Sequence, residues 1–253
     1  MFRGLVTALR TLTSLPVPGR EADCFVDSLP WFPVVGLFLG AIIATMSCFA
    51  MASATLWTFG LSVLLILAGI CLTRGLHLDG LADWADGFWG GHDREKVLRI
   101  MKDPCIGSFG AMALVFIMMA KWVGYVGLIL DPDGWRWITA AYVISRTMQV
   151  DLACTFDYAR TEGGTAAKFV EGAGWRQLAP ALVVCLATLI LLARPQWLFL
   201  LILPACWLAT RLFGMWCRRR IGGITGDLLG ACSELVETGV VFAGSFMGVT
   251  WTT

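Results

Sequence analysis

The sequence predicts an all-α, polytopic integral membrane protein: a helical bundle of about seven transmembrane helices preceded by an interfacial helix. Of its 253 residues, 58% are hydrophobic and only 15% are charged, and the mean hydropathy is +0.75. Soluble domains carry about 25% charged residues. The 28 glycines and 12 tryptophans, against three tyrosines, suit closely packed helices with interfacial anchors. These observations exclude a soluble globule of this size.

Seven apolar runs approach the length of about 20 residues that a membrane span needs. They extend from Trp31 to Ala54, Leu56 to Thr73, Phe109 to Leu130, Trp135 to Ala153, Leu178 to Ala193, Trp197 to Trp216 and Leu235 to Trp251. Residues 1–20 carry apolar side chains at helical spacing but lack the continuous apolar core of a signal peptide. This segment is expected to form an amphipathic helix on the membrane surface. The whole chain, 1–253, then forms a single membrane-embedded domain.

Basic residues are concentrated on one side of the predicted bundle. That side has the N-terminus, the loops 74–108 and 154–177, and the run Arg218–Arg220, whereas the opposite loops hold only Arg136 and Arg194. Positive charge marks cytoplasmic loops. The N-terminus and both long loops are therefore expected in the cytoplasm, and the C-terminus outside.

The opposite loops are very short and span residues 53–56, 131–134 and 194–196. A receptor for an external ligand would need longer loops there. The formal charge of +1 indicates no nucleic-acid partner. The nine cysteines are far apart without a C-x-x-C motif, so they are interpreted as packing residues. The lipid bilayer is a partner, and a homo-oligomer is left open.

The first acidic segment is HLDGLADWADG, residues 77–87. At about 100° per residue, Asp79, Asp83 and Asp86 fall on one face of a helix. Three carboxylates on one face repel one another unless a cation lies between them, and Mg²⁺ prefers carboxylate and phosphate oxygens. His77 points away from Asp79 on a regular helix, so hydrogen bonding is favoured over a role as general base.

The second acidic segment is GGITGDLLGACSELVE, residues 222–237, before the last predicted span. Asp227 and Glu234 share a helix face, and Glu237 follows one turn later. Its glycines allow close approach either of a ligand or of a neighbouring helix. If both segments meet at the cytoplasmic membrane edge, their carboxylates would form a one- or two-metal phosphoryl-transfer centre. The alternative is that these carboxylates cap helices or pair with nearby Arg and Lys residues.

Basic and glycine residues supply candidate phosphate contacts. In IMKDPCIGSFGA, residues 100–111, Gly107 and Gly110 lie at the start of a predicted span and could present backbone N–H groups to a phosphate, and Lys102 adds a charge. Arg146 lies inside an apolar run and Arg160 lies in the loop YARTEGG. An intramembrane Arg normally faces a partner or a wet cavity, and Asp151 and Asp157 are the alternative partners of Arg146. Lys121 is assigned no role.

Taken together, these motifs resemble the cobalamin synthase family over nearly the whole chain. The motifs are LTSLPVP at 12–18, FPVVGLFLG at 32–40, HLDGLADWADG at 77–87, IMKDPCIGSFGA at 100–111, Ser145-Arg146, YARTEGG at 158–164 and GGITGDLLGACSE at 222–234. The chain departs from the family where Pro104 and Cys105 replace the usual Ser-Arg. A phosphate contact made by that arginine is then absent or is supplied by Arg94 or Arg160.

The resemblance implies an adenosylcobinamide-GDP ribazoletransferase in a bacterial inner membrane. Such an enzyme performs the last step in the assembly of the nucleotide loop of cobalamin. Such an enzyme joins adenosylcobinamide-GDP to α-ribazole, or to α-ribazole 5′-phosphate, releases GMP and requires Mg²⁺. In the resulting hypothesis, the metal ligands are Asp79, Asp83, Asp86 and Asp227, and the catalytic residues are Asp79, Asp83 and Glu234. Glu234 either completes the metal site or accepts the hydroxyl proton. The expected phosphate contacts are Lys102, Arg146, Arg160, Gly107 and Gly110.

Three other classes of protein are weighed against this interpretation. A transporter also buries Asp and Arg, but would place them near mid-membrane with access from both sides. A membrane phosphotransferase that makes phospholipid head groups would use similar aspartates on Mg²⁺, and release of CMP rather than GMP distinguishes it. A scaffold protein gives no reason for two groups of carboxylates on shared helix faces.

Overall fold

The computed structural model describes residues 2–52, 57–193 and 197–251. These ranges contain helices α1 (Phe2–Leu12), α2 (Phe32–Ala52), α3 (Thr58–Thr73), α4 (Leu76–Gly90), α5 (Arg94–Ile100), α6 (Ser108–Leu130), α7 (Gly134–Thr155), α8 (Ala167–Val170), α9 (Trp175–Leu192), α10 (Ile202–Ile221) and α11 (Gly226–Trp251). Short 3-10 helices, Phe25–Trp31 and Trp197–Leu201, precede α2 and α10. Over the same ranges there is no β-strand, and one isolated bridge joins Tyr158 to Ile224. The all-α class is confirmed.

Helix α7 lies at the centre of the bundle. It packs chiefly against α2 and α11, and every residue from 137 to 153 is buried. Two glycines of α2 make its approach to α7 close: a Cβ on Gly36 would lie 2.5 Å from the carbonyl oxygen of Tyr142, and one on Gly40 would lie 3.0 Å from the Cα of Thr139. The backbone contact leaves no room for larger residues there.

Within the part of the chain that the structure describes, five segments are long and apolar enough to cross a membrane, and a sixth is added if α3 and α4 count as one bent span. They are Phe25–Phe49, Ser108–Leu130, Trp175–Leu192, Phe199–Ile221 and Gly226–Gly248. A polytopic bundle is thus confirmed, with five or six candidate spans where about seven were expected. The predicted run Trp135–Ala153 is not among them; it forms α7, which carries Arg146 and Asp151. A helix covered by protein need not present apolar residues to lipid.

The predicted second span, Leu56–Thr73, ends in a sharp bend. Helices α3 and α4 meet at 91°, and the two residues between them, Arg74 and Gly75, have left-handed φ angles of 56° and 66°. Glycine adopts this conformation at little cost, whereas Arg74 does so at roughly 1–2 kcal/mol. The bend directs α4 against α6 and α11. The predicted loop 74–108 is therefore mostly helical, since it contains α4 and α5.

The N-terminal segment forms α1 and packs against the 3-10 helix Phe25–Trp31. Its buried face consists mainly of small residues, Gly4, Thr7 and Ala8, while Phe2 is 74% exposed. The apolar face expected from the sequence is therefore only partly used within the protein. Contact of Phe2 with lipid stays a prediction.

Of the three short loops on the opposite side, the one between α6 and α7 is described. It is a tight turn in which Asp131 accepts hydrogen bonds from the backbone N–H groups of Asp133 and Gly134 at 2.9 Å. The loops predicted at 53–56 and 194–196 lie outside the described residues. The last helix begins at Gly226 rather than Leu235, so the second acidic segment lies largely within α11.

Candidate active site

The two acidic segments meet where α4 crosses α11. Gly80 on α4 lies against the backbone of Asp227, because a Cβ at this glycine would be 2.5 Å from the Asp227 carbonyl oxygen. One turn further along α11, a Cβ on Gly230 would be 3.2 Å from the Cα of His77. These glycines therefore allow the close approach of a neighbouring helix, α4 to α11, rather than of a ligand. It brings Asp79 and Asp83 beside Asp227.

Two cavities flank this crossing. The larger one, about 720 Å³, is lined chiefly by α4, by residues 101–104 and by Ile106. The smaller one, about 270 Å³, lies between α4, α11 and the segment 158–169. Asp79 lines both cavities, Asp83 lines only the larger and Asp227 only the smaller. We call Asp79, Asp83 and Asp227 the cavity carboxylates.

The charge of the cavity carboxylates is only partly balanced by the protein. Asp83 is half-buried and lies within electrostatic range of Asp79, Asp86 and Asp227. Among the described residues, Arg160 is the cation that pairs with one of them, since its Nη2 donates a hydrogen bond of 2.8 Å to Oδ2 of Asp227. Arg74 and Lys102 also line the larger cavity, but they are bonded to the Arg10 carbonyl oxygen and to Glu162. Asp79 and Asp83 are thus left without an ion-pair partner in the described part of the chain, which suits a bound cation.

Backbone pairing positions Arg160 at this site. The segment 157–159 lies beside residue 224: Ile224 N donates to Asp157 O at 2.9 Å, and Ala159 N donates to Ile224 O at 2.8 Å. Arg94 fastens the same segment by donating to Ala159 O at 2.7 Å and to Ile221 O at 2.8 Å. Arg94 is therefore engaged with the backbone, which disfavours it as a substitute for the family's arginine near position 105. Arg160 remains available to the smaller cavity.

Asp86 has a different role from its helical neighbours. Its carboxylate is buried and accepts hydrogen bonds from Gly107 N at 2.7 Å and Gly110 N at 2.8 Å. It thereby caps the first turn of α6, where backbone N–H groups lack partners within the helix. The N–H groups of Gly107 and Gly110, which were predicted to bind phosphate, therefore donate hydrogen bonds to Asp86 instead. A Cβ on either glycine would lie within 2.5 Å of a carboxylate oxygen.

Within the described ranges, no group of three or more His, Cys, Asp and Glu side chains is arranged to hold a metal ion. The predicted set of four ligands, Asp79, Asp83, Asp86 and Asp227, is therefore not assembled by the protein alone. Mg²⁺ characteristically binds through one or two carboxylates and takes its other oxygens from water and substrate phosphates. Asp79 and Asp83, one helical turn apart beside the larger cavity, fit that pattern.

Lys102 lies at the edge of the larger cavity and is paired with an exposed acid. Its Nζ is 2.7 Å from Oε2 of Glu162, and the Lys102 ammonium lowers the pKa of the Glu162 carboxyl. Exposed pairs of this kind are weak and exchange partners readily. Pro104 lines the same cavity, and Cys105 is exposed beside it.

The remaining predicted site residues belong to a separate group of charges inside the bundle. Lys121 pairs with both Glu234 and Glu237, and Arg146 donates a hydrogen bond of 2.7 Å to Glu237. We call Lys121, Arg146, Glu234 and Glu237 the buried ionic network, since each is less than 10% exposed. None of the four lines either cavity at the helix crossing. The structure thus does not bring Arg146 and Glu234 to the cavity carboxylates.

The alternative partners of Arg146, Asp151 and Asp157, are not the ones that it contacts. Arg146 donates to Ser145, Ser233 and Glu237, and Asp151 accepts a hydrogen bond from Arg211 at 2.7 Å. The sequence analysis also missed Gln149 and Tyr158, which line the smaller cavity. The sequence did contain a signal for Gln149, because it is a polar residue in a largely apolar run, one turn from Arg146.

The fold and these cavities define a polytopic membrane protein with a carboxylate-lined site at one end of its bundle. The model of the family described as cobalamin-5-phosphate synthase matches residues 4–245. The chain belongs to this family.

Relatives from several bacteria are similar over nearly their full length. One from Chlorobaculum tepidum is 51% identical over 241 residues, which cover 95% of this chain and 94% of the relative. One from Chlorobaculum parvum is 51% identical over 97% of this chain and 96% of its own. One from Desulforamulus reducens is 37% identical over 96% of both. All three are named adenosylcobinamide-GDP ribazoletransferase. No solved structure matches the chain.

Proposed function

We propose that this chain is a membrane transferase that joins adenosylcobinamide-GDP to α-ribazole, or to its 5′-phosphate, and releases GMP. Family membership supports the substrates. The observation that carries the chemistry is that Asp79 lines both cavities at the crossing of α4 and α11, with Asp83 on one side and Asp227 on the other. Two cavities that share a carboxylate suit a reaction between two substrates.

In this reaction, a ribazole hydroxyl oxygen attacks the phosphorus next to the cobinamide. A new P–O bond forms there, the bond to the bridging oxygen breaks, GMP leaves with that electron pair, and the hydroxyl proton passes to water. The attacking and leaving oxygens must lie nearly in line, so positioning and charge neutralisation provide most of the catalysis.

We further propose that Asp79 and Asp83 would hold Mg²⁺. When bound, the metal would neutralise negative charge that develops on the diphosphate during the transfer. Asp227 acts on Arg160: its carboxylate accepts from both the Arg160 guanidinium and Thr225 Oγ1, which fixes the guanidinium at the edge of the smaller cavity. Arg160 is there able to donate to a phosphate oxygen.

The test uses purified protein in lipid nanodiscs with both substrates, and follows GMP and the corrinoid product by mass spectrometry. We expect GMP release only with both substrates and Mg²⁺, and its loss on addition of EDTA. The Asp79→Asn variant, with the same melting temperature, serves as the inactive control. Folded protein that releases no GMP with both substrates and Mg²⁺ would refute the proposal. Release of CMP from a CDP-activated alcohol would favour the phospholipid head-group class.

We also propose that the site faces the cytoplasm across the bacterial inner membrane. This rests on Lys102 and Arg160, which line the cavities, and on the basic run Arg218–Arg220 in the last turn of α10. Cys105 is exposed beside the larger cavity and reports its side of the membrane. A membrane-impermeant maleimide should label Cys105 in inside-out vesicles and not in right-side-out vesicles. The reverse pattern would place the site outside.

A further inference from the structure

The smaller cavity changes character from its open end to its inner wall. Asp79 is exposed, and Asp227 and Arg160 are partly exposed. Farther in, the wall contains Phe32, Phe169 and other apolar side chains that are almost completely buried. A ligand that enters would therefore meet charge first and aromatic surface last.

The inner wall also contains polar atoms that lack partners. His77 is 1% exposed and Gln149 is 3% exposed, and both line the cavity. Among the described residues, neither ring nitrogen of His77 nor the amide oxygen of Gln149 has a hydrogen-bond partner. Native structures leave few such groups unsatisfied, because each costs about 1–3 kcal/mol. The amide nitrogen of Gln149 is already used, since it donates to Leu229 O at 3.2 Å.

These free atoms specify the kind of ligand that would satisfy them. A neutral imidazole offers one donor and one acceptor, and the free amide oxygen of Gln149 offers an acceptor. The Tyr158 hydroxyl is a further donor, since burial raises its pKa and keeps it protonated. A nucleoside presents ribose hydroxyls as donors and a ring nitrogen as an acceptor, on a flat base that suits aromatic side chains.

We infer that the smaller cavity is the nucleoside subsite, with the base against Phe32 and Phe169 and the ribose toward Asp79. This rests on the proposed function. Size supports the same division: a cavity of about 270 Å³ suits a nucleoside and excludes a corrinoid ring, whereas the larger cavity is about 720 Å³ and open. The activated corrinoid then lies on the Asp83 side, and Asp79 lies between the two substrates.

A matched pair of phenylalanines tests the assignment. Phe169 lines the cavity, whereas Phe156 is similarly buried but packs against Gly214. We expect Phe169→Leu to raise the KM for α-ribazole about tenfold and to leave the KM for adenosylcobinamide-GDP unchanged. Phe156→Leu should change neither KM. If Phe169→Leu raises instead the KM for the activated corrinoid, or if both variants act alike, the assignment is wrong.

A labelling experiment keeps the inference testable if Phe169→Leu does not fold. Thr165 lines the smaller cavity, whereas Thr161 lies in the same loop but outside it, and both are exposed. We expect α-ribazole alone to slow maleimide labelling of the Thr165→Cys variant about tenfold and to leave Thr161→Cys unaffected. Protection by adenosylcobinamide-GDP alone, without protection by α-ribazole, would overturn the inference.

The two proposals fail in different ways. Absence of GMP release from wild-type protein with both substrates refutes the transferase function. Normal GMP release together with unchanged α-ribazole kinetics in Phe169→Leu, or with unprotected Thr165→Cys, refutes only the nucleoside subsite.

Discussion

The cavity carboxylates and the buried ionic network contain acidic residues of the same helix, α11, in opposite electrostatic settings. In the buried network, two carboxylates, Glu234 and Glu237, are matched by two cations, Lys121 and Arg146. Among the cavity carboxylates, Asp227 is paired with Arg160, whereas Asp79 and Asp83 have no ion-pair partner among the described residues. The first group is neutral and enclosed, whereas the second is negative and open to ligand.

This difference separates stability from chemistry. Charges inside a membrane bundle cost several kcal/mol unless they are paired, so a balanced network is what packing alone requires. An unbalanced group beside two cavities is not explained by packing, because carboxylates that repel one another lower stability. We therefore expect substitutions in the network to alter folding and substitutions at the cavities to alter catalysis.

The largest expected effect comes from Asp79→Ala. Loss of the carboxylate that lines both cavities should lower the rate of GMP release by about 10³-fold or more, with the melting temperature unchanged. Asp23→Ala is the matched control, since Asp23 is an exposed acid paired with Arg3 at 2.9 Å. A variant at Asp79 that keeps most of its activity and its Mg²⁺ dependence would remove the distinction between the two regions.

Lys121→Met tests the opposite region. Removal of this cation leaves Glu234 buried without its ion-pair partner, and we expect the free energy of unfolding to fall by about 3 kcal/mol. The variant Lys121→Met/Glu234→Gln should recover part of that loss, because it removes the unpaired charge as well. Thermal unfolding in nanodiscs measures both. If Lys121→Met instead keeps full stability but loses GMP release, the network belongs to the catalytic machinery.

Gly80→Ala tests whether the crossing of α4 and α11 creates the site. The added Cβ would meet the Asp227 carbonyl oxygen at 2.5 Å, so the helices must separate. Since a shift of about 1 Å is able to lower a rate about 100-fold, we expect a loss of that order in GMP release. Gly90→Ala on the same helix is the control, because its nearest contact would be 3.4 Å from Ile100. Equal activity of the two variants would show that close approach at Gly80 is dispensable.

Helical periodicity correctly placed Asp79, Asp83 and Asp86 on one helix, α4. The meeting of this segment with the second acidic segment was only a condition of the metal-site hypothesis. Periodicity gives the face of a residue but not its depth. Asp227 and Glu234 share a face, yet seven residues at about 1.5 Å each separate them by about 10 Å along the helix. This distance is enough to move Glu234 from the cavity edge into the bundle interior.

Two further features had no clear signal in the sequence. The bend that directs α4 across α11 depends on Arg74 in a left-handed conformation, which is uncommon for a residue with a side chain. The pairing of Lys121 with Glu234 joins α6 to α11 across more than 100 residues of chain. A single sequence shows that such charges need partners but does not identify the partners.

The smallest effect is expected from Asp86→Asn. This variant distinguishes the two roles that the sequence allowed for Asp86, those of metal ligand and helix cap. Its two carboxylate oxygens accept from Gly107 N and Gly110 N, and Asp86→Asn retains only one of those acceptors. We expect the free energy of unfolding to fall by about 1–2 kcal/mol, because one buried N–H group is left unpaired. The Mg²⁺ concentration that gives half-maximal GMP release should stay the same. If that concentration rises tenfold or more while the melting temperature is unchanged, Asp86 is a metal ligand, and the cavity carboxylates then number four rather than three.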